Sequence, residues 1–245
     1  MVVQTEGDKI KASILDTRQA LEIIGKTEVL TPAGRLLAEN VINLGRVFPL
    51  EGKPSVMVLD VKAFLNHRVD TKLMMMIGKD LAHQMEDLHP DFVLTAPSSG
   101  ITPAFAVAHY LGDIPLIYTQ KSPPVTFNDS QVLETDSFSY TTGTKERMTA
   151  AASCIPQGLR GVGVDDFSDT GKKSTDLLTI AGQAGAELVG FGYAIEKSAY
   201  GGRKKLIDVG LDRVHSVLDI EAMRPGKIMV KGIPYWLSLA NNGGT

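Results

Sequence analysis

Two adjacent carboxylates, Asp165 and Asp166, end the apolar run Val162-Gly163-Val164 and are followed by Phe167-Ser168-Asp169-Thr170-Gly171-Lys172. An apolar run closed by acids, then a short polar loop, then a helical pattern places reactive groups where a buried strand gives way to a helix start. Backbone N–H groups at such a start carry partial positive charge, and with Ser168, Thr170 and Lys172 they suit a phosphate monoester. The carboxylates accept hydrogen bonds from vicinal hydroxyls. An anion sink beside diol acceptors matches a ribose 5-phosphate, provided a divalent ion or distance separates the acids from any further phosphate. Gly171-Lys172 also invites a nucleotide P-loop, but that pattern needs glycine where Asp166 stands and Ser or Thr where Lys173 stands. The plain structural alternative is an acidic strand end followed by a capped helix with solvated charges.

A loop of this kind needs a rigid frame, and short apolar runs alternate with helical patterns from Pro54 onward. Residues 55–61 predict a strand. Asp70 reads as a helix N-cap, with Leu73, Ile77, Leu81, Met85 and Leu88 recurring behind it on one buried face. Residues 92–95 predict a buried strand that ends in Pro97-Ser98-Ser99-Gly100. Residues 102–111 predict a helix closed by Gly112, and 114–118 the next strand. A helix over 174–184, a strand over 188–195 and a further helix and strand over 204–209 and 214–220 repeat the pattern. Strands alternating with helices imply an α/β fold, a mostly parallel sheet with helices on both faces. Such sheets bind ligands beyond the carboxyl ends of their strands. Residues 121–150 are polar, with Pro123-Pro124 and no long apolar period, and read as a lid-like loop. Residues 1–52 are expected to form an N-terminal helical extension, with a helix over 31–47 and ten fraying residues at the start, leaving 53–245 as the main domain.

The 245 residues, 43% hydrophobic and 22% charged, suit one sizeable soluble domain. A formal net charge of −3 argues against a broad nucleic-acid footprint. Cys154 is the sole cysteine, which rules out an intrachain disulfide and a cysteine-built zinc cage and fits a cytoplasmic setting. No apolar run approaches the roughly 20 residues that span a bilayer, so no membrane partner is expected.

The segment 162–172 resembles the phosphoribosyl pyrophosphate signature of type I phosphoribosyltransferases. Three further stretches resemble the bacterial xanthine phosphoribosyltransferase branch. They are Phe64-Leu65-Asn66-His67 with Val69-Asp70, Ser98-Ser99-Gly100-Ile101 with Pro103-Ala104, and Ile195-Glu196-Lys197-Ser198 with Gly202-Arg203. The four motifs are collinear and cover roughly residues 55–230. The resemblance implies transfer of a 5-phosphoribosyl group from phosphoribosyl pyrophosphate to a purine base, xanthine or another 6-oxopurine, with Mg²⁺ carried mostly by the substrate and a homodimer as the working unit. It implies that Asp165 and Asp166 face the ribose hydroxyls and that Ser168, Asp169, Thr170, Gly171 and Lys172 cradle the 5-phosphate. Ser98, Ser99 and Gly100 would hold pyrophosphate with Lys121 nearby, and Leu59, Asn66 and Lys197 would contact the purine. The chain departs from the family at Gln120, where the family carries an arginine before its lysine, and in longer terminal segments. Two other readings stay open: a purine-sensing transcription regulator built on the same fold, and an enzyme for adenine or another base.

Apart from the resemblance, Lys197 reads as a surface charge after a strand and Arg203-Lys204-Lys205 as a solvated face. Met74-Met75-Met76 reads as core filler, and Tyr235-Trp236 as packing residues.

Overall fold

The structure, a computed structural model, describes residues 12–123, 131–139 and 144–241; the expected frayed start lies outside them. Its frame is an eight-stranded sheet made of β1 (Ile14–Leu15), β4 (Phe92–Thr95), β5 (Leu116–Tyr118), β8 (Arg160–Ser168), β9 (Glu187–Glu196), β10 (Val214–Arg224), β11 (Lys227–Val230) and β12 (Trp236–Ser238). The spatial order is β1-β12-β11-β10-β9-β8-β4-β5. Neighbours run parallel except at β10–β11 and β11–β12. The expected mostly parallel sheet is therefore present, closed at one side by an antiparallel hairpin.

Helices cover both faces. On one side lie α1 (Thr17–Lys26), α2 (Pro32–Leu44), α3 (Thr71–Met85) and α4 (Ile101–Tyr110), whose apolar side chains form a single cluster with Val93, Val162, Val164, Ile195 and Leu218 of the sheet. On the other lie α5 (Lys172–Gln183) and α6 (Gly202–Asp208), packed on Phe92, Leu94, Leu188, Phe191 and Tyr193. β4 shows the pleat directly, with Phe92 and Leu94 in one cluster and Val93 in the other. α3 begins where the Asp70 carboxylate accepts the Leu73 N–H at 3.0 Å, satisfying one orphan donor of the first turn. Its Leu73, Ile77, Leu81 and Met85 are fully buried, each contributing about 1.5–3 kcal/mol by removal from water.

Three elements differ from the sequence expectations. Residues 121–150, read as one long loop, hold β6 (Val132–Ser139) and β7 (Thr144–Ala151), an antiparallel pair outside the main sheet; 124–130 and 140–143 lie outside the described residues. Mostly polar strands, with Leu133, Met148 and Ala150 among the side chains turned inward, escape an apolar-period reading. Described residues 12–52 hold α1 and, within the expected helix over 31–47, α2, and β2 (Arg46–Leu50) pairs antiparallel to β3 (Lys53–Asp60) across residues 51–52. β3, expected as a sheet strand, belongs to this separate two-stranded unit. Met74 and Trp236 are buried, as packing residues should be.

Candidate active site

β8 is buried over six consecutive residues, Gly161 to Asp166, as a central strand covered on both faces must be. It continues beyond the acids to Ser168, held by the register Phe167↔Ile195 and Ser168↔Glu196 on β9. The acid pair is thus part of the strand, and the turn that follows is short. Adjacent strand residues project to opposite sides, and the two carboxylates meet different partners. Asp165 Oδ2 lies 2.6 Å from Lys173 Nζ on α5, and Asp166 Oδ2 accepts from Asn66 Nδ2 at 3.4 Å. Asp165 is 1% exposed and Asp166 3%. Burial pushes the Asp165 carboxyl up to about 7, with the Lys173 ammonium opposing and the Asp166 charge adding to the rise. Burial also works against the Lys173 charge, but the neighbouring carboxylates outweigh it and hold the ammonium above the ordinary lysine range.

The turn Pro97-Ser98-Ser99-Gly100 follows β4 and comes directly against this pair. A Cβ on Gly100 would sit 2.6 Å from Asp165 Oδ1 and 3.0 Å from the Ala96 carbonyl, and closer still to Thr95 Oγ1, so only glycine lets the turn approach. The second turn, 168–171, is closed by Gly171 with φ +72 and by Gly202 of α6, whose absent Cβ would meet the Asp169 carbonyl and lie 2.7 Å from Ser168 Oγ. Ser168 Oγ is buried near the Tyr193 hydroxyl, which bonds Ser174, and makes no hydrogen bond of ordinary geometry among the described residues.

Lys172 and Lys197 are engaged within the protein. Lys172 Nζ pairs with the buried Asp176 carboxylate and donates to the Asp136 carbonyl of β6 at 3.0 Å, tying α5 to the hairpin. Lys197 is no surface charge. Its side chain is 11% exposed, with Nζ 2.8 Å from Asp169 Oδ1 and 4.8 Å and 5.7 Å from the ring centres of Phe167 and Tyr200. Lys121 lines a cleft with Pro97, Gln120, Arg147 and Lys173. Leu59 lies 5% exposed within the main apolar cluster.

The structure thus brings together Asp165, Asp166, Asn66 and Gly100, and separately Ser168, Asp169, Gly171 and Lys197. Lys173, Phe167 and Tyr200 escaped the sequence reading. Lys173 counted there only as a mismatch to a P-loop, and nothing in its local spacing signals Asp165. The solvated face expected at Arg203 is also corrected. Arg203 Nε donates to Glu196 Oε1 at 2.9 Å, its Nη groups reach Glu196 and the Val214 carbonyl, and Glu196 is 1% exposed. Arg203→Met would strand that carboxylate in the interior at a cost of about 3–5 kcal/mol. A fall in urea midpoint of corresponding size is the expected outcome; a midpoint within experimental scatter of wild type would mean Glu196 finds other solvation.

The fold recurs in known proteins, although no family model matches the chain. Adenine phosphoribosyltransferase from Thermoanaerobacter pseudethanolicus superposes with TM-score 0.59 at 20% identity, covering 72% of this chain and 95% of that one. The enzyme from Giardia lamblia, complexed with 9-deazaadenine, gives TM-score 0.61 at 16% identity, covering 75% and 97%. The fold is that of the type I phosphoribosyltransferases. Xanthine phosphoribosyltransferase from Lactobacillus delbrueckii subsp. bulgaricus is 34% identical over 194 residues, 79% of this chain and 98% of the relative. Its counterpart from Shouchella clausii is 37% identical over 171 residues, 70% and 84% of the two chains. The chain belongs to the xanthine phosphoribosyltransferase family.

Proposed function

We propose that the chain transfers the 5-phosphoribosyl group of phosphoribosyl pyrophosphate to a 6-oxopurine, xanthine by preference, releasing pyrophosphate. The observation that carries this reading is the buried Asp165–Asp166 pair with the Gly100 turn packed against it, in a chain 34% identical over 194 residues to a xanthine phosphoribosyltransferase. Asp165 and Asp166 accept hydrogen bonds from the ribose hydroxyls and so fix the sugar. Ser168 to Gly171 take the 5-phosphate through backbone N–H groups and the Ser168 hydroxyl, with Lys172 bracing the segment from α5. Ser98, Ser99 and Gly100 hold the pyrophosphate beside Lys121, and Leu59, Asn66 and Lys197 bound the purine. The reaction passes through an oxocarbenium-like state, so the protein acts by positioning, by excluding water under the β6–β7 hairpin and by stabilising the leaving group.

Mg²⁺ enters with the substrate in this reading. Among the described residues no group of three or more His, Cys, Asp or Glu side chains converges to form a protein cage. Mg²⁺ keeps its waters and prefers phosphate oxygens; carried by the donor, it would neutralise charge on the leaving group. The working unit we propose is a cytosolic homodimer without nucleic-acid partners. No helix among the described residues is long and apolar enough to cross a membrane.

The base is read by Lys197 and Asn66. An ammonium is an obligate donor that pairs with a purine carbonyl and opposes the exocyclic amine of adenine. An unmet group of this kind costs about 1–3 kcal/mol, a preference for oxopurines over adenine of about tenfold or more. Pyrophosphate release with phosphoribosyl pyrophosphate, Mg²⁺ and xanthine, guanine, hypoxanthine or adenine measures it. Xanthine is expected to give the highest kcat/KM, and Lys197→Ala to flatten the ranking. Adenine as the best substrate, or an unchanged ranking in Lys197→Ala, would overturn the base assignment.

A further inference from the structure

A narrow cleft beside the reacting centre is lined by Ala96, Pro97, Gln120, Lys121, Arg147 and Lys173, together with Thr119 and Met148. Among the described residues three cations line it and no acid does. They come from separate parts of the fold: Lys121 follows β5, Arg147 lies on β7 of the hairpin, and Lys173 opens α5. A cleft lined by cations suits a multiply charged anion, although two of the three are also paired with acids outside the lining. The cleft starts at Ala96 and Pro97, where the Gly100 turn begins, so an anion there would abut the ribose held by Asp165 and Asp166.

The cations differ in what they already hold. Arg147 Nη1 lies 3.2 Å from Glu134 Oε2 on the adjoining strand, a pair exposed on both sides. Lys173 Nζ lies 2.6 Å from Asp165, one of the two acids assigned to the ribose. Its side chain is 44% exposed while that of Asp165 is 2% exposed. The ammonium therefore stands at the boundary between the buried acid and the cleft, on a flexible four-carbon stem.

We propose that Lys173 is a contact to the leaving pyrophosphate, and that its ammonium exchanges Asp165 for the pyrophosphate oxygens when the donor binds. This rests on the transfer reaction proposed above. In the empty protein the ion pair neutralises an acid that burial would otherwise leave uncompensated. With the donor in place, the ribose hydroxyls take over the hydrogen bonding of Asp165, and the released ammonium meets the phosphate charge. Lys173 thereby supplies positive charge next to the neutral Gln120, and it makes Asp165 available only when the leaving group is seated. No bond is made or broken by Lys173 itself; the pyrophosphate departs with the electron pair of its bond to the ribose carbon.

The test is equilibrium binding of inorganic pyrophosphate with Mg²⁺ to the full chain, followed by calorimetry with no base present. Lys173→Gln keeps a hydrogen bond to Asp165 and removes the charge. It is expected to weaken pyrophosphate about ten- to a hundredfold, the worth of one hydrogen bond to a charged group. Lys173→Arg is expected to retain most of the affinity. Asp165→Asn, by releasing the ammonium, is expected to tighten pyrophosphate, and that gain is expected to vanish when Lys173→Gln is added. A purely structural lysine would leave pyrophosphate affinity unchanged in folded Lys173→Gln. Wild-type affinity in folded Lys173→Gln, or an Asp165→Asn gain that survives in the double variant, would overturn the proposal. Lys173→Met serves in the same assay if the glutamine variant does not fold. Pyrophosphate binding that depends on Lys173, in a chain that transfers ribose to no base, would instead sink the proposed reaction and leave this contact standing.

Discussion

A chain carrying Asp165→Asn and Asp166→Asn together is expected to fold and to lose phosphoribosyl transfer by about two to four orders of magnitude, the worth of two hydrogen bonds to charged acceptors. Both side chains keep their shape, and Asn66 still donates to position 166, so the packing around β8 has little reason to change. What disappears is the strong acceptor character that orients the ribose. A sugar free to rock by even 1 Å loses the alignment on which about a hundredfold in rate can depend. The wild type offers a second reading of the same groups. Burial holds the Asp165 carboxyl up at about 7, so the acceptor form is lost as pH falls through that value. The kcat/KM for the donor should therefore climb through pH of about 7 in the wild type, and this limb should be missing from the residual activity of Asp165→Asn. A folded double variant with near-native turnover would remove this loop from the reaction.

Gly100→Ala is expected to have an effect of similar size by a different route. The added methyl has nowhere to go, with the Thr95 hydroxyl, the Asp165 carboxylate and the Ala96 carbonyl all inside contact distance and all three residues buried. The backbone of the turn must back away from β8, an overpacking cost of about 1–3 kcal/mol. Because that turn and the acid pair address the same substrate, a displacement of this size is expected to raise the KM for the donor and lower kcat by about a hundredfold in kcat/KM. The measurement is steady-state kinetics alongside a urea melt. A Gly100→Ala protein with native kinetics would mean the turn does not touch the donor, whatever its stability.

The parts of the molecule that were legible in the sequence are those whose signals are local. The four-residue spacing from Leu73 to Met85 with its Asp70 cap, and the run from Val162 into the acid pair, each state their element locally. Gly171 and the start of α5 likewise follow from adjacent chemistry. The hairpin β6–β7 was hidden because its strands are mostly polar and pack on α5, with only a few inward apolar side chains to mark a period. Lys173 and Arg203 were hidden for another reason. Each looks like a solvent charge among other charges, and each becomes a partner of a buried acid only when α5 or α6 folds back over β8 and β9. Pairings of that type depend on tertiary approach, which no local pattern encodes. Lys197 lies between the two cases: its motif marked it, while its place beside Asp169, Phe167 and Tyr200 emerged only with the fold.

The pairing of β1 with β12 joins the two ends of the described chain, with Ile14 opposite Trp236 and Leu15 opposite Leu237. During synthesis β1 leaves the ribosome long before β12, its neighbour in the sheet among the described residues. The helix α1 that follows can pack on α2 early, while β10 to β12 are still to come. Until residues 236–237 have been made, β1 lacks the strand that pairs with it, the state in which sheets recruit wrong partners. Holding factors that shield the emerging amino-terminal segment would matter more for the yield of this protein than for one whose first strand pairs with its second.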